Sequence, residues 1–257
     1  MRTAIQIQRS VIFAFFIREL KTRFGSYRLG YLWALLEPLG HILVIVAVFG
    51  AMGRNSMPGI EYPLFIITGL FPFFFFKYVW TRSAEAVKSN RALLAYRYVK
   101  PLDNIWARAL LELLIFLIGF VVYLIGLATF GIEVMPHRPL EVFCAYILLF
   151  IFAIGVGIVS GVVCGIFPEL KKCIPFINRP LYFISGVFIP LSVVPEKFRV
   201  YFLWNPILHA LELARKNYFP SFEHSGASWL FLVMSSLVSL FIGLALYRIT
   251  RFKLLES

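Results

Sequence analysis

The chain is 257 residues long, 60% hydrophobic and only 15% charged, where a soluble domain carries about 25% charged residues; a soluble globular protein is excluded and an all-α polytopic membrane protein is expected. A net charge of +12 would point to nucleic acid in a soluble chain, but here it fits basic cytoplasmic loops lying against anionic lipid, so no nucleic-acid partner is expected and an anionic substrate stays open. Asp103 is the single aspartate and the twelve glutamates are scattered, which leaves little from which to build the carboxylate clusters of metal-dependent hydrolases and transferases.

In chain order, residues 4–22 mix Ile5, Ile7, Val11 and Phe15 with Gln6, Gln8, Arg9, Arg18, Glu19 and Lys21. The charges break any run of the roughly 20 residues that spanning takes, so the segment reads as an amphipathic helix on the membrane surface. A frayed polar tail is the alternative. The run Val11 to Ile17 is too short, and too soon followed by charge, for a cleavable signal peptide. The next stretch, Arg23-Phe-Gly-Ser-Tyr-Arg-Leu-Gly-Tyr-Leu-Trp-Ala-Leu-Leu-Glu-Pro38, gathers the Arg, Tyr and Trp that chains place where water gives way to headgroups. It reads as a hinge into a first span.

Six spans are expected, at about 33–53, 62–80, 108–130, 140–166, 175–192 and 229–247. A charged loop, about 81–107, follows the second, and Pro168-Glu-Leu-Lys-Lys172 turns the chain after the fourth. Between the fifth and last spans, about 193–228, two apolar pieces are split by Asn205-Pro206. Each is too short to cross a core of about 30 Å, so re-entrant helices are expected; one true extra span is the alternative. Arg2, Arg9, Arg18, Lys21, Arg23 and Arg28 share a side with the basic residues of the 81–107 loop, with Lys171 and Lys172, and with Arg248, Arg251 and Lys253. The bias places both termini in the cytoplasm. With no repeat and no linker, residues 1–257 read as one domain.

No Gly-rich Lys-Ser/Thr phosphate loop occurs, so ATP and its Mg, if used, are held by another chain. No nucleophile elbow, zinc-helix motif or Cys pair occurs either, and Cys144, Cys164 and Cys173 read as apolar fillers. No catalytic residue and no metal ligand is expected. Ala84 to Leu94 has helix-forming composition, with Pro101 as its stop; its Leu93, Leu94 and Tyr96 suit a docking surface or a fold back onto the bilayer. Glu37, Lys77, Glu112 and Arg179 lie in or near spans, where charge is costly. The first three sit close enough to a span end to snorkel; Arg179 suits a polar path or a pair with Glu169. The run Phe71 to Phe76, with Tyr78 and Trp80, suits stacking on sugar faces, or packing against lipid and neighbouring helices.

Taken together, these stretches resemble the ABC-2-type permeases, and within them the capsular polysaccharide export permeases of Gram-negative bacteria. The likeness runs from Arg23–Pro38 through Gly69-Leu-Phe-Pro-Phe-Phe73, Tyr96-Arg-Tyr-Val-Lys-Pro-Leu102, Ala107-Arg-Ala-Leu-Leu-Glu112 and Phe167-Pro-Glu169. It continues through Pro180-Leu-Tyr-Phe-Ile-Ser185, Leu203-Trp-Asn-Pro206 with His209, Glu212 and Arg215, and Leu240-Phe-Ile-Gly-Leu-Ala-Leu-Tyr-Arg248.

The resemblance implies a homodimer in the bacterial inner membrane, with two copies of a separate ATPase, a periplasmic adaptor and an outer-membrane export channel. It implies a lipid-linked polysaccharide as cargo. It implies ATPase coupling through Arg18, Lys21, Arg23, Ser89, Asn90, Arg91, Leu93, Leu94 and Tyr96. A translocation path would use Trp33, Glu37, His41, Phe71, Phe73, Lys77, Trp80, Arg179 and Tyr182. A periplasmic gate would use Phe188, Pro190, Trp204, Asn205, Pro206, His209 and Glu212. The rivals are a permease for O-antigen, teichoic acid or lipid, a membrane enzyme of glycan assembly, and a secondary transporter.

Overall fold

A computed structural model of the chain describes residues 3–24, 30–51, 56–57, 60–89, 93, 96, 98–222 and 226–256, and for 4, 30–35, 56, 57, 255 and 256 the backbone alone. Among the described residues the chain is built from α1 (Ala4–Phe24), α2 (Gly30–Ala51), α3 (Tyr62–Ser89), α4 (Pro101–Thr129), α5 (Pro139–Ile166), α6 (Cys173–Ile184), α7 (Glu196–Arg199), α8 (Pro206–Tyr218) and α9 (Trp229–Glu256). A two-residue antiparallel pair, β1 (Ser56–Met57) with β2 (Ile60–Glu61), closes the turn from α2 to α3.

Among the described residues four helices, α3, α4, α5 and α9, are long and apolar enough to cross a bilayer; the protein is an all-α, multi-pass membrane protein. Helix α2 has 22 residues, which reach about 33 Å at about 1.5 Å per residue, and carries the apolar stretch Leu36–Ala51. Helix α6 has 12 residues and reaches about 18 Å, less than the fifth span expected at 175–192. It ends at Ile184 because the chain turns at Gly186, whose φ of 72° is left-handed. The carbonyls of Gly186 and Val187 accept from Arg215 instead of from a further helical turn.

The expected loop at 81–107 is much shorter. Helix α3 runs on to Ser89 and α4 starts at Pro101, because Ala84 to Ser89 continue the helix without a breaker. Pro101 occupies the first turn of α4, where its missing N–H costs nothing. It therefore starts a helix instead of stopping one. The Asp103 side chain accepts from the Lys100 N–H (3.0 Å) and secures that start.

Helix α3 is the centre of the bundle, with 83% of its apolar window buried, against 17% for α9. Its aromatic run is interior on all sides. Phe71 lies on Phe116, Phe120 and Tyr123 of α4, Phe75 on Phe150 of α5, and Phe73 on Tyr182 of α6. Helix α5 sits between α3 and α9. A Cβ on Gly155 would lie 2.5 Å from the Leu240 backbone, and one on Gly243 would lie 2.9 Å from the Gly155 carbonyl. The two backbones thus approach as small-residue helix pairs do in membranes. Ser236 donates across the same seam to the Leu148 carbonyl (2.9 Å).

Candidate functional site

The junction where α1 meets α3 and α4 is built from charge. Gln8 donates to Asp103 (3.0 Å), Arg108 donates through Nε and Nη2 to Glu19 (2.9 Å each), and Arg23 pairs with Glu112. Position rises along both helices from contact to contact, so α1 and α4 run in the same sense. From Gln8 to Arg23 is about 22 Å along α1, while Asp103 to Glu112 is about 14 Å along α4, so the helices cross obliquely. The packed face of α1 mixes Phe15 with Gln8, Glu19 and Arg23, which is why its apolar spacing is weak.

Arg108 ties three segments together. Besides Glu19, it reaches the Arg82 carbonyl (2.8 Å) and the Ser89 hydroxyl (2.6 Å) at the end of α3. Arg82 stands 4.0 Å from Glu112, and Asn104 donates to the Ala86 carbonyl. Ser89 at the end of α3 and Asn104 near the start of α4 are thus tied into the contact with α1. Of the coupling candidates, Ser89 and Arg23 belong to this network. Arg18 and Lys21 lie exposed on α1. Leu93 is half-buried and Tyr96 is 66% exposed. Asn90, Arg91 and Leu94 lie outside the described residues.

Beside the junction, a strip of half-polar side chains gathers around Phe74. Tyr78 donates to Glu37 (2.7 Å), which ties α2 to α3. His41 meets the Phe74 ring edge-on at 5.2 Å, Lys77 lies 5.2 Å from the same ring, and Tyr182 of α6 stacks on it at 6.1 Å. Glu37 and His41 are exposed, and Lys77 and Tyr182 are half-buried. Arg179 is exposed one turn before Tyr182 and makes no ion pair among the described residues, so the expected pairing with Glu169 is not formed. For three other path candidates the packing alternative holds in place of sugar stacking. Phe71, Phe73 and Trp80 are 4%, 1% and 8% exposed and lie inside the single chain, because a helix packed on every side buries a continuous aromatic run. The side chain of Trp33 lies outside the described residues.

A family model for the ABC-2 type transporter matches residues 10–219. The chain belongs to the ABC-2 type transporter family. It is similar to the polysialic acid transport protein KpsM of Escherichia coli, 41% identical over 100% of this chain and 99% of the relative. It is also similar to the capsule polysaccharide export inner-membrane protein CtrC of Neisseria meningitidis serogroup B, 32% identical over 95% of this chain and 92% of the relative. The capsule polysaccharide export inner-membrane protein BexB of Haemophilus influenzae is 28% identical over 96% of this chain and 93% of its own length.

In this ABC-2 chain the expected gate residues form a buried polar lattice around α8. Asn205 caps the helix by accepting from the Ile207 N–H (3.0 Å), with Pro206 at its first position, and donates to the Ser185 hydroxyl (2.9 Å). His209 accepts at Nδ1 from the Ser228 N–H (2.8 Å), so its proton sits on Nε2, which faces the Leu203 carbonyl at 2.8 Å. Glu212 accepts from the Leu191 N–H (3.0 Å). Arg215, 0% exposed, donates to the carbonyls of Gly186 (2.5 Å), Val187 (2.8 Å) and Phe65 (3.1 Å) and covers the Phe65 ring at 3.8 Å. Phe188 leans on Tyr182 at 4.7 Å and joins the lattice to the strip. Pro190 is buried, while Trp204 is 59% exposed.

The sequence reading left Glu19, Arg108, Tyr78 and Arg215 off its candidate lists. Three of them had a signal. Glu19 and Arg23 stand four apart as acid then base, and Arg108 and Glu112 four apart as base then acid. That is the complement two helices running in one sense need. Arg215, three residues after Glu212 in an apolar stretch, had the signal of a charge with no solvent to face.

Proposed function

We propose that the chain is the permease subunit of an ATP-driven exporter that moves lipid-linked capsular polysaccharide across the bacterial inner membrane. The observation that carries this reading is the end-to-end likeness to relatives named for polysialic acid transport and capsule polysaccharide export. On this reading the chain is a transport subunit. It works as a homodimer with two copies of a separate ATPase, which hold ATP and Mg. A periplasmic adaptor and an outer-membrane channel continue the route.

The basic bias sets both termini, α1 and the segment 90–100 in the cytoplasm. Helix α2 and the short α6 complete six membrane segments, and the break after α6 with α8 forms the re-entrant part on the periplasmic side. ATPase closure pushes on segment 90–100 and α1, which Arg108 and the Arg23–Glu112 pair make one body with the ends of α3 and α4. Motion then passes to α2 through the Tyr78–Glu37 bond. The strip of Glu37, His41, Lys77 and Tyr182, facing its copy in the partner protomer, lines the path. The Asn205, His209, Glu212 and Arg215 lattice holds the periplasmic end.

The test is deletion of the gene in a capsulated host fed radiolabelled sugar precursor. Polymer accumulates inside the cells while its synthesis continues. Loss of synthesis itself would sink the reading in favour of a glycan-assembly enzyme.

A further inference from the structure

The oblique crossing of α1 and α4 opens a groove of about 1010 Å³ between them, at the upper end of the roughly 300–1,000 Å³ of ligand pockets. Its walls are Ile12, Phe13 and Phe16 on α1 and Leu110, Leu114 and Leu117 on α4. Phe13 is 63% exposed, and the three leucines are 38%, 40% and 45% exposed. The polar groups in the lining are few. Gln8 is engaged by Asp103, and the Ser10 hydroxyl donates to the Gln6 carbonyl. Neither a sugar nor a peptide backbone would find its hydrogen bonds there.

One charge remains. Arg9 is the single ionised side chain in the lining, is exposed, and has no ion-pair partner among the described residues. It stands next to Gln8, hence at the level of Asp103 in the first turn of α4. Leu110 to Leu117 lie seven to fourteen residues further along α4, about 10 to 21 Å deeper at about 1.5 Å per residue. A cation at the shallow end and an apolar trough leading inward match a lipid with an anionic head.

We propose that this groove is a binding site for an anionic glycerophospholipid of the cytoplasmic leaflet, its phosphate on Arg9 and one acyl chain along Leu110, Leu114 and Leu117. The orientation rests on the cytoplasmic placement of α1 proposed above; occupancy does not rest on transport. The lipid fills the wedge beside the Glu19–Arg108 contact and braces α1 against α4, so the anionic lipid content of the membrane tunes how stiffly the two helices move together.

The experiment uses the full chain, expressed in a host without capsule synthesis and reconstituted in vesicles of equal phosphatidylglycerol and phosphatidylcholine. Retained lipid is counted by native mass spectrometry. Wild type keeps phosphatidylglycerol over phosphatidylcholine by about fivefold, the discrimination one arginine near an anionic surface provides. Arg9→Gln abolishes the preference, Arg9→Lys keeps it, and Leu114→Trp, which fills the trough, lowers retention of both lipids. A photoreactive phenylalanine in place of Phe13 reads the same contact without either variant and cross-links to phosphatidylglycerol. Equal retention of the two lipids by wild type, or an unchanged preference in Arg9→Gln, overturns the proposal. So does a groove filled only when capsule synthesis is restored, which would assign it to the cargo's own lipid. No ATP or cargo is present, so an error in the transport reading leaves these outcomes untouched.

Discussion

Two buried arginines divide the molecule. Arg215 is 0% exposed and donates to backbone carbonyls where α6 stops and α3 begins; Arg108 is 8% exposed and donates to a carboxylate, a hydroxyl and one carbonyl from two other segments. The first supplies what a broken helix lacks. Non-helical backbone at membrane depth survives only where something else satisfies it, and a planar guanidinium fills that role with several donors at once. The second joins elements that are each complete without it. Arg215 thus belongs to folding, while Arg108 joins folded parts and, on the proposed function, carries motion between them.

The sharpest way to break this division is to remove Arg215. Arg215→Met leaves the buried carbonyls of Gly186 and Val187 unpaired, at roughly 1–3 kcal/mol each, takes one of two side-chain donors from the Phe65 carbonyl, which keeps Thr68, and strands the 0%-exposed Glu212 carboxylate. We expect most of the protein to be lost from the membrane. Arg215→Lys rescues little, because a point charge cannot reach the three carbonyls together. Gly69→Ala gives the same loss from another helix, since a Cβ there would lie 1.9 Å from the Arg215 Nη2 atom. Protein level and thermal melting in detergent read both. A Gly69→Ala protein with wild-type melting would show that the guanidinium can be seated elsewhere.

These residues also mark where sequence reading succeeds and stops. The apolar stretches 62–80, 108–130, 140–166 and 229–247 fall on α3, α4, α5 and α9, with 108–130 ending one residue past α4, because sustained hydropathy marks segments withdrawn from water, whether they face lipid or, like α3, the bundle interior. It does not report where a helix ends: the helix-forming stretch from Ala84 is a continuation of α3 to Ser89 and not a separate helix, and Pro101–Ala107 belong to α4 and not to the loop before it. Asn205-Pro206 was legible as a break and is an N-cap followed by a first-turn proline. The aromatic run was visible but its direction was not. Periodicity cannot say which side of Phe71 to Phe76 is inside when every side is packed. Gly69 drew notice only as part of a similar stretch, since the arginine it accommodates lies 146 positions further along the chain.

Arg108 gives an effect of intermediate size and a different kind. Arg108→Gln breaks the contact to Glu19, whose side chain is 16% exposed, so water partly heals it. A cost near 1–2 kcal/mol is expected, well below the roughly 3–5 kcal/mol of a fully buried pair. Protein level stays near normal while export falls about tenfold, because α1 no longer moves with the ends of α3 and α4. The exchange Glu19→Arg with Arg108→Glu restores part of the export. Capsule at the surface per unit of permease, together with an ATPase assay in vesicles, separates the cases. If Arg108→Gln and Arg215→Met lower protein level equally, both arginines serve folding and the division fails.

The smallest effect belongs to a third arginine, one with no ion pair among the described residues. Arg179 is exposed on α6, in a stretch where Phe176 and Phe183 are 77% and 69% exposed, and no carboxylate pairs with it among the described residues. Removing a group with no partner costs the fold nothing, so Arg179→Ala should leave melting within about 0.5 kcal/mol of wild type. A cation in a bilayer still needs a reason, and the one the proposed path supplies is an acidic polymer passing between protomers. Export of an acidic capsule should then fall about twofold to fivefold at normal protein level, with Arg179→Lys largely active because a passing carboxylate asks for charge and not for a fixed fork. Raising the salt in a vesicle assay should weaken the wild-type advantage over Arg179→Ala, since an exposed charge is screened over about 8–10 Å at physiological ionic strength. Full export by Arg179→Ala at wild-type protein level would remove α6 from the path and leave the strip around Phe74 to α2 and α3 alone.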